Sequence, residues 1–87
     1  MPTVTIQCEG LTDAEGTSAP ADILEEFAAR PWHTSVRCNW NDGKLTLTAT
    51  NDFDAEGQAL LDEFWDAVHA TINYSGPIRF RIVNAQP

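Results

Sequence analysis

A chain of 87 residues with five Lys and Arg against 13 Asp and Glu, net charge -8, is long enough for one domain over 1–87 and too short for two. Its 43% hydrophobic and 21% charged composition excludes disorder, and a pI near 4.3 argues against unaided binding of nucleic acid or an anionic membrane. No stretch approaches the roughly 18 apolar residues of a membrane span, and Met1-Pro2-Thr3-Val4-Thr5 lacks the basic start and apolar run of a secretion signal, so the expected address is the cytoplasm.

Thr3 to Glu9 alternates, with Val4, Ile6 and Cys8 on one face and Thr5, Gln7 and Glu9 on the other, the pattern of a half-buried strand. Gly10 to Ser18 is rich in Gly, Asp, Thr and Ser and reads as a loop. Ser18 then offers a capping hydroxyl and Pro20 a first-turn residue, so a helix is expected from about Pro20 to Arg30, stopped by Pro31. Its apolar face comprises Ile23, Leu24, Phe27 and Ala28, with Asp22, Glu25, Glu26 and Arg30 away from it. Ser35 to Trp40 alternates again, setting Val36, Cys38 and Trp40 against Arg37 and Asn39. After Asn41-Asp42-Gly43 comes Lys44 to Thr50, and Asp-Gly between two alternating runs predicts a hairpin.

Asp52 or Asp54 is positioned to cap a second helix over about Ala55 to Ile72, with Asp54 and Glu56 in its first turn and Gly57 a mild internal cost. Leu61, Phe64, Trp65, Val68 and Ile72 define its apolar stripe. Ser75-Gly76-Pro77 breaks the chain before a last strand, Ile78 to Val83, with Ile78, Phe80 and Ile82 inward and Arg79 and Arg81 outward. The order βαββαβ matches an α+β ferredoxin-like plait. Right-handed crossovers put both helices on one face of a four-stranded antiparallel sheet of order 4-1-3-2 and leave the other face open. Ile23-Leu24-Glu25-Glu26-Phe27 is echoed 37 positions later by Leu60-Leu61-Asp62-Glu63-Phe64, as expected of two related βαβ halves, although such strings are ordinary in amphipathic helices.

Candidate chemistry is sparse. Cys8 and Cys38 belong to no CxxC or CxxxH motif and fall on inward registers of strands separated by a third, about 10 Å apart, too far for a disulfide. They read as buried reduced thiols. Asp62, Asp66 and His69 share a helical stripe, but no second segment supplies ligands, so the expected metal and cofactor content is none. The five glycines are scattered and form no phosphate-binding loop. His33 beside Trp32 has no nucleophile or pocket legible in the sequence, and no catalytic residues are assigned.

Two surfaces stand out. The open face carries Thr5, Gln7, Arg37, Asn39, Thr46, Thr48, Thr50, Arg79 and Arg81, and Arg37, Asn39, Thr46, Thr48, Arg79 and Arg81 are the candidates there for binding a small anion or an acidic segment. The helices display Glu25, Glu26, Asp62 and Asp66, a candidate acidic interaction face. Trp40 and Trp65 fall on the expected core faces; Trp32, with His33, is the candidate partner anchor. The strand order is similar to that of RNA-recognition motifs, yet the central outward positions read Gln7, Thr46 and Thr48 rather than stacking aromatics. Heavy-metal-associated domains share the order with a CxxC after strand one, and acylphosphatases with an arginine there; this chain has neither between Gly10 and Ser18. The resemblance is therefore to a fold class alone. The expected function is a small acidic protein-interaction or self-associating module, not an enzyme, with a protein partner or its own copy. The alternative is an acidic nucleic-acid mimic that inhibits a basic nucleic-acid-binding protein.

Overall fold

The computed structural model describes residues 2–52 and 56–86. The elements run β1 (Thr3–Glu9), α1 (Asp13–Ala28), β2 (Thr34–Asn41), β3 (Lys44–Thr50), α2 (Gln58–Thr71) and β4 (Arg79–Gln86). The sheet order is β2-β3-β1-β4 with every neighbouring pair antiparallel, the expected 4-1-3-2 plait read from its other edge. Cross-strand neighbours share a face, so the register defines the inner rows: Cys38, Leu47, Ile6 and Ile82 in one, Trp40, Leu45, Cys8 and Phe80 in the next. Under them lies the core, where Val4, Ile6, Leu45, Leu47, Ile23, Leu60, Phe64 and Val68 are fully buried. Phe64 meets Phe80 edge-on at 5.4 Å between ring centroids. Among the described residues no helix is long and apolar enough to cross a membrane.

The first helix begins seven residues before the expected Pro20. Thr12, not Ser18, is its N-cap, and a reciprocal capping box joins Thr12 Oγ1 to the Glu15 N–H at 3.2 Å and Glu15 Oε1 to the Thr12 N–H at 2.9 Å. Pro20 is accommodated inside the helix, where it leaves the Gly16 carbonyl without its helical donor. The helix ends at Ala28, before Pro31 acts. Its buried face is Gly16, Ala19, Ile23 and Phe27; Leu24 and Ala28, expected inside, are exposed. Gly16 lets α1 approach β2: a Cβ there would stand 2.3 Å from ring atoms of Trp40.

The second helix is not capped by Asp52. Gly57 occupies the N-cap in the left-handed region (φ +86°), with no side-chain cap and no acid in the first turn; Asp54 itself lies outside the described residues. A Cβ on Gly57 would approach Val4 Cγ1 to 2.6 Å, so close packing as well as conformation calls for glycine. The buried stripe is Leu60, Phe64, Ala67 and Val68, rotated from the expected one, which leaves Leu61 half-buried and Trp65 49% exposed. The 37-residue echo maps onto equivalent depth, Ile23 with Leu60 and Phe27 with Phe64 in the core.

Both edge strands are irregular. The β2–β3 register shifts between Thr34 and Arg37, where Ser35 takes φ +51°. Along β4, Ile82 faces Ile6 but Asn84 faces Thr5, so Val83 is the extra residue of a bulge. The bulge restores Ala85 to the inner row opposite Val4 and leaves Val83 exposed. Ile82, expected inside, is itself partly open at this edge. The hairpin expected at Asp42-Gly43 is present, with positive φ at both residues, the signature of a type I′ turn.

Candidate functional site

The most structured polar constellation lies where the chain leaves α1. Ala29 and Arg30 donate to Glu26 and Phe27 carbonyls, and the His33 N–H donates to the Arg30 carbonyl at 3.1 Å, so residues 30–33 form a tight connection rather than a free loop. It lays three side chains around Glu63 on α2. Arg30 Nε lies 3.3 Å from Glu63 Oε1, the Trp32 indole N–H donates to the same oxygen at 3.0 Å, and His33 Nε2 sits 2.6 Å from Oε2. On the other side of the imidazole, Asn51 Nδ2 lies 3.2 Å from His33 Nδ1. An amide nitrogen only donates, so Nδ1 accepts, and the proton donated to Glu63 resides on Nε2. Asn51 is fully buried and its backbone N–H donates to the Pro2 carbonyl at 3.1 Å.

This arrangement separates the expected Trp32–His33 pair. His33 is only 5% exposed, its ring tilted against Phe27 at 5.7 Å and Trp32 at 6.2 Å, and both ring nitrogens are engaged; burial removes it from any partner surface. Trp32 is 49% exposed yet its indole is tethered to Glu63. It is a large aromatic held in one orientation at the surface, preorganised for contact. The sequence carries no sign that Glu63, Arg30 and Asn51 meet at His33, because they lie on three separate segments.

A second aromatic cluster decorates α2. Trp65 stacks on His69 with centroids 3.8 Å apart, His69 Nδ1 bonds the Trp65 carbonyl at 2.8 Å, and Tyr74 Oη lies 2.7 Å from His69 Nε2. His69 is thereby engaged by its neighbours rather than gathered with Asp62 and Asp66, and no group of three metal-ligating side chains occurs among the described residues. Asp62 accepts from Gln58 at 3.2 Å. Glu25, Asp62 and Asp66 are exposed and Glu26 is half-buried, its carboxylate 4.0 Å from Arg30.

The open face is as the alternation predicts, and larger. Arg37, Asn39, Arg79 and Arg81 are exposed on the two edge strands, while Thr46 and Thr48 are half-buried on β3. Hydroxyls pair across the central strands, Thr3 with Thr50 at 3.0 Å and Thr5 with Thr48 at 3.1 Å. Lys44 also stands on this face, opposite Glu9, which in turn faces Arg79 at 3.6 Å. Gln7, between Thr46 and Arg81, buries its Oε1 without a hydrogen-bond partner.

The thiols are deeply placed. Cys8 is fully buried and Cys38 partly so, both free and both on the inner face flanking β3. Burial foremost, with Glu9 adding, pushes the Cys8 thiol up to about 12, and burial with Cys8 nearby does the same to Cys38. Neither is an activated nucleophile. Two surface depressions, about 330 Å³ beside Glu9, Arg79, Phe80 and Arg81 and about 260 Å³ between α1 and the end of α2, contain neither cysteine nor His33. Comparison with known proteins returns no matching family model, no matching curated protein and no matching solved structure.

Proposed function

We propose that the protein is a non-catalytic interaction module that docks through its helix layer, with Trp32 as the anchor. The observation that carries this reading is the state of Trp32: 49% exposed and tethered through its indole to a carboxylate that Arg30 and His33 also hold. Exposed tryptophan fixed before contact binds with little loss of rotamer freedom, and such residues dominate interface energetics. The remaining candidate chemistry supports a binding role, since the thiols are suppressed and the one buried imidazole is consumed in a structural bridge. The test is affinity capture from lysate with the wild type beside Trp32→Ala, the retained proteins being identified by mass spectrometry. A partner held by the wild type and lost by the variant, with the fold intact by circular dichroism, supports the anchor; equal retention by both refutes it.

A second reading rests on a separate observation. Glu25 and Asp66 are exposed and make no ion pair among the described residues, as an acidic nucleic-acid mimic requires. It predicts capture of a basic protein that is lost at high salt and on neutralising Glu25, Glu26, Asp62 and Asp66 together.

A further inference from the structure

We infer that the module's partner is a second copy of itself, bound head to tail, with the open sheet face of one molecule seated on the helix layer of the next. This rests on the interaction reading above and names the surface that the helix layer meets.

The first support is the distribution of charge. Of the five basic residues in the chain, four stand on the open face: the register places Arg37 opposite Thr48, Lys44 and Arg79 on either side of Glu9, and Arg81 opposite Gln7. Glu9 is the one acid in these cross-strand rows. The fifth cation, Arg30, is held by Glu63. The helices carry Asp22, Glu25, Glu26, Asp62 and Asp66. One molecule therefore presents a cationic face and an anionic face on opposite sides of a single sheet.

That polarity selects the geometry of association. A two-fold contact of sheet on sheet sets arginine against arginine, and one of helix on helix sets carboxylate against carboxylate. Only the heterologous arrangement matches opposite charges. Edge-to-edge pairing is opposed by the irregularities at Ser35 and Val83, since bulges disrupt the ladder a second strand would need. The chemistry of the two faces also matches beyond charge. Arg37, Arg79 and Arg81 are exposed and rise from edge strands around a floor of threonines, while Leu24, Trp32 and Trp65 are exposed on the helix side. Guanidinium groups stack on indole faces. Size is adequate: the molecule measures 34 × 23 × 18 Å, and its broad face is comparable to the roughly 800 Å² that each partner contributes to a stable interface. Because the contact is heterologous, it propagates into rings or filaments instead of ending at a dimer.

Sedimentation equilibrium of the purified protein, with two variants, tests this. One variant carries Arg37→Ser, Arg79→Ser and Arg81→Ser; the other carries Asp62→Asn, Trp65→Ala and Asp66→Asn. Circular dichroism and thermal melting establish that both fold. The wild type is expected to exceed its monomer mass of 9.6 kDa as concentration rises at roughly 50 mM salt, and to do so less at roughly 500 mM. Each variant alone is expected to stay at the monomer mass. Their equimolar mixture is expected to yield a 1:1 species of twice that mass and nothing larger, because each supplies the face the other lacks. A wild type that remains monomeric at millimolar concentration overturns the proposal, as does association by either variant alone or a mixture without a complex. If the wild type is monomeric while Trp32→Ala still loses a captured protein, the head-to-tail assembly is wrong and the interaction reading stands. If it assembles while Trp32→Ala changes no capture, the anchor is misplaced and the assembly stands.

Discussion

Replacing Glu63 by alanine removes one acceptor from three donors, and their different exposures set the size of the effect. The Trp32 indole N–H is at the surface, so water replaces the carboxylate at little cost. Arg30 and Glu63 side chains are each about 20% exposed, which limits their ion pair to about 1 kcal/mol. The His33 side chain is fully buried, and deprivation of its acceptor at 2.6 Å costs roughly 1–3 kcal/mol. The expected loss is about 2–4 kcal/mol, or a fall in Tm of roughly 10–25 °C for a domain of this size. Urea unfolding followed by tryptophan fluorescence measures it. A double-mutant cycle with His33→Phe locates it: in that background Glu63→Ala should cost no more than about 1 kcal/mol, the residual ion pair with Arg30. A loss below that figure in the wild-type background, or an equal loss in both, refutes the idea that the buried imidazole dominates the cluster.

Gly16→Ala should destabilise by about 1–2 kcal/mol despite alanine's better helix propensity, because overpacking against Trp40 outweighs a gain of about 1 kcal/mol; in a Trp40→Leu background the same change should become neutral or stabilising in chemical denaturation. Thr12→Ala should cost about 1 kcal/mol by removing the α1 cap. Glu15 is held below its usual range chiefly by the Thr12 N–H, with Ser75 contributing, so its contribution is present above pH 4.5 and lost as pH falls; Glu15→Gln should flatten that acid limb in thermal melts. Cys8 and Cys38 are held protonated to about 12 against an ordinary value of 9.0. The unfolded thiols therefore ionise first, and stability should decline as pH rises above 9, a slope that Cys8→Ala/Cys38→Ala removes. Neither thiol should react with iodoacetamide at pH 8 until the protein is denatured, as monitored by mass.

The strands were legible because alternation runs through β1, β3, most of β2 and the start of β4, and the Asp42-Gly43 turn admits few geometries. Helix boundaries were less so. Ser18 before Pro20 imitates a start signal, although the Thr12-x-x-Glu15 capping box that starts the helix is equally present in the chain. The proline is tolerated inside α1 because burial of Gly16, Ala19 and Ile23 on one continuous face outweighs one missing hydrogen bond. In α2 the apolar residues span more than one face, so Leu60-Phe64-Ala67 and Leu61-Phe64-Trp65 fit the same periodicity, and only packing on the sheet chooses between them. The Glu63 cluster left no local trace. Trp32 and His33 are adjacent, but Glu63 lies 30 residues beyond His33 and Asn51 18, and nothing in one sequence says that these segments meet. Lys44 belongs to the open face by its even register with Thr46 and Thr48.

The pairing of Thr3 with Gln86 across β1 and β4 sets the two ends of the folded unit roughly 5 Å apart, at the corner of the sheet away from the Asp42-Gly43 turn. The start of β1 and the end of β4 therefore lie at one point of the sheet. The folded unit can be spliced into a surface loop of a host protein without stretching it, or permuted by joining the ends with a short linker and opening the chain at the turn. A group attached at Thr3 is therefore the near neighbour of one attached at Gln86. Labels for the two ends will report on one place in the molecule.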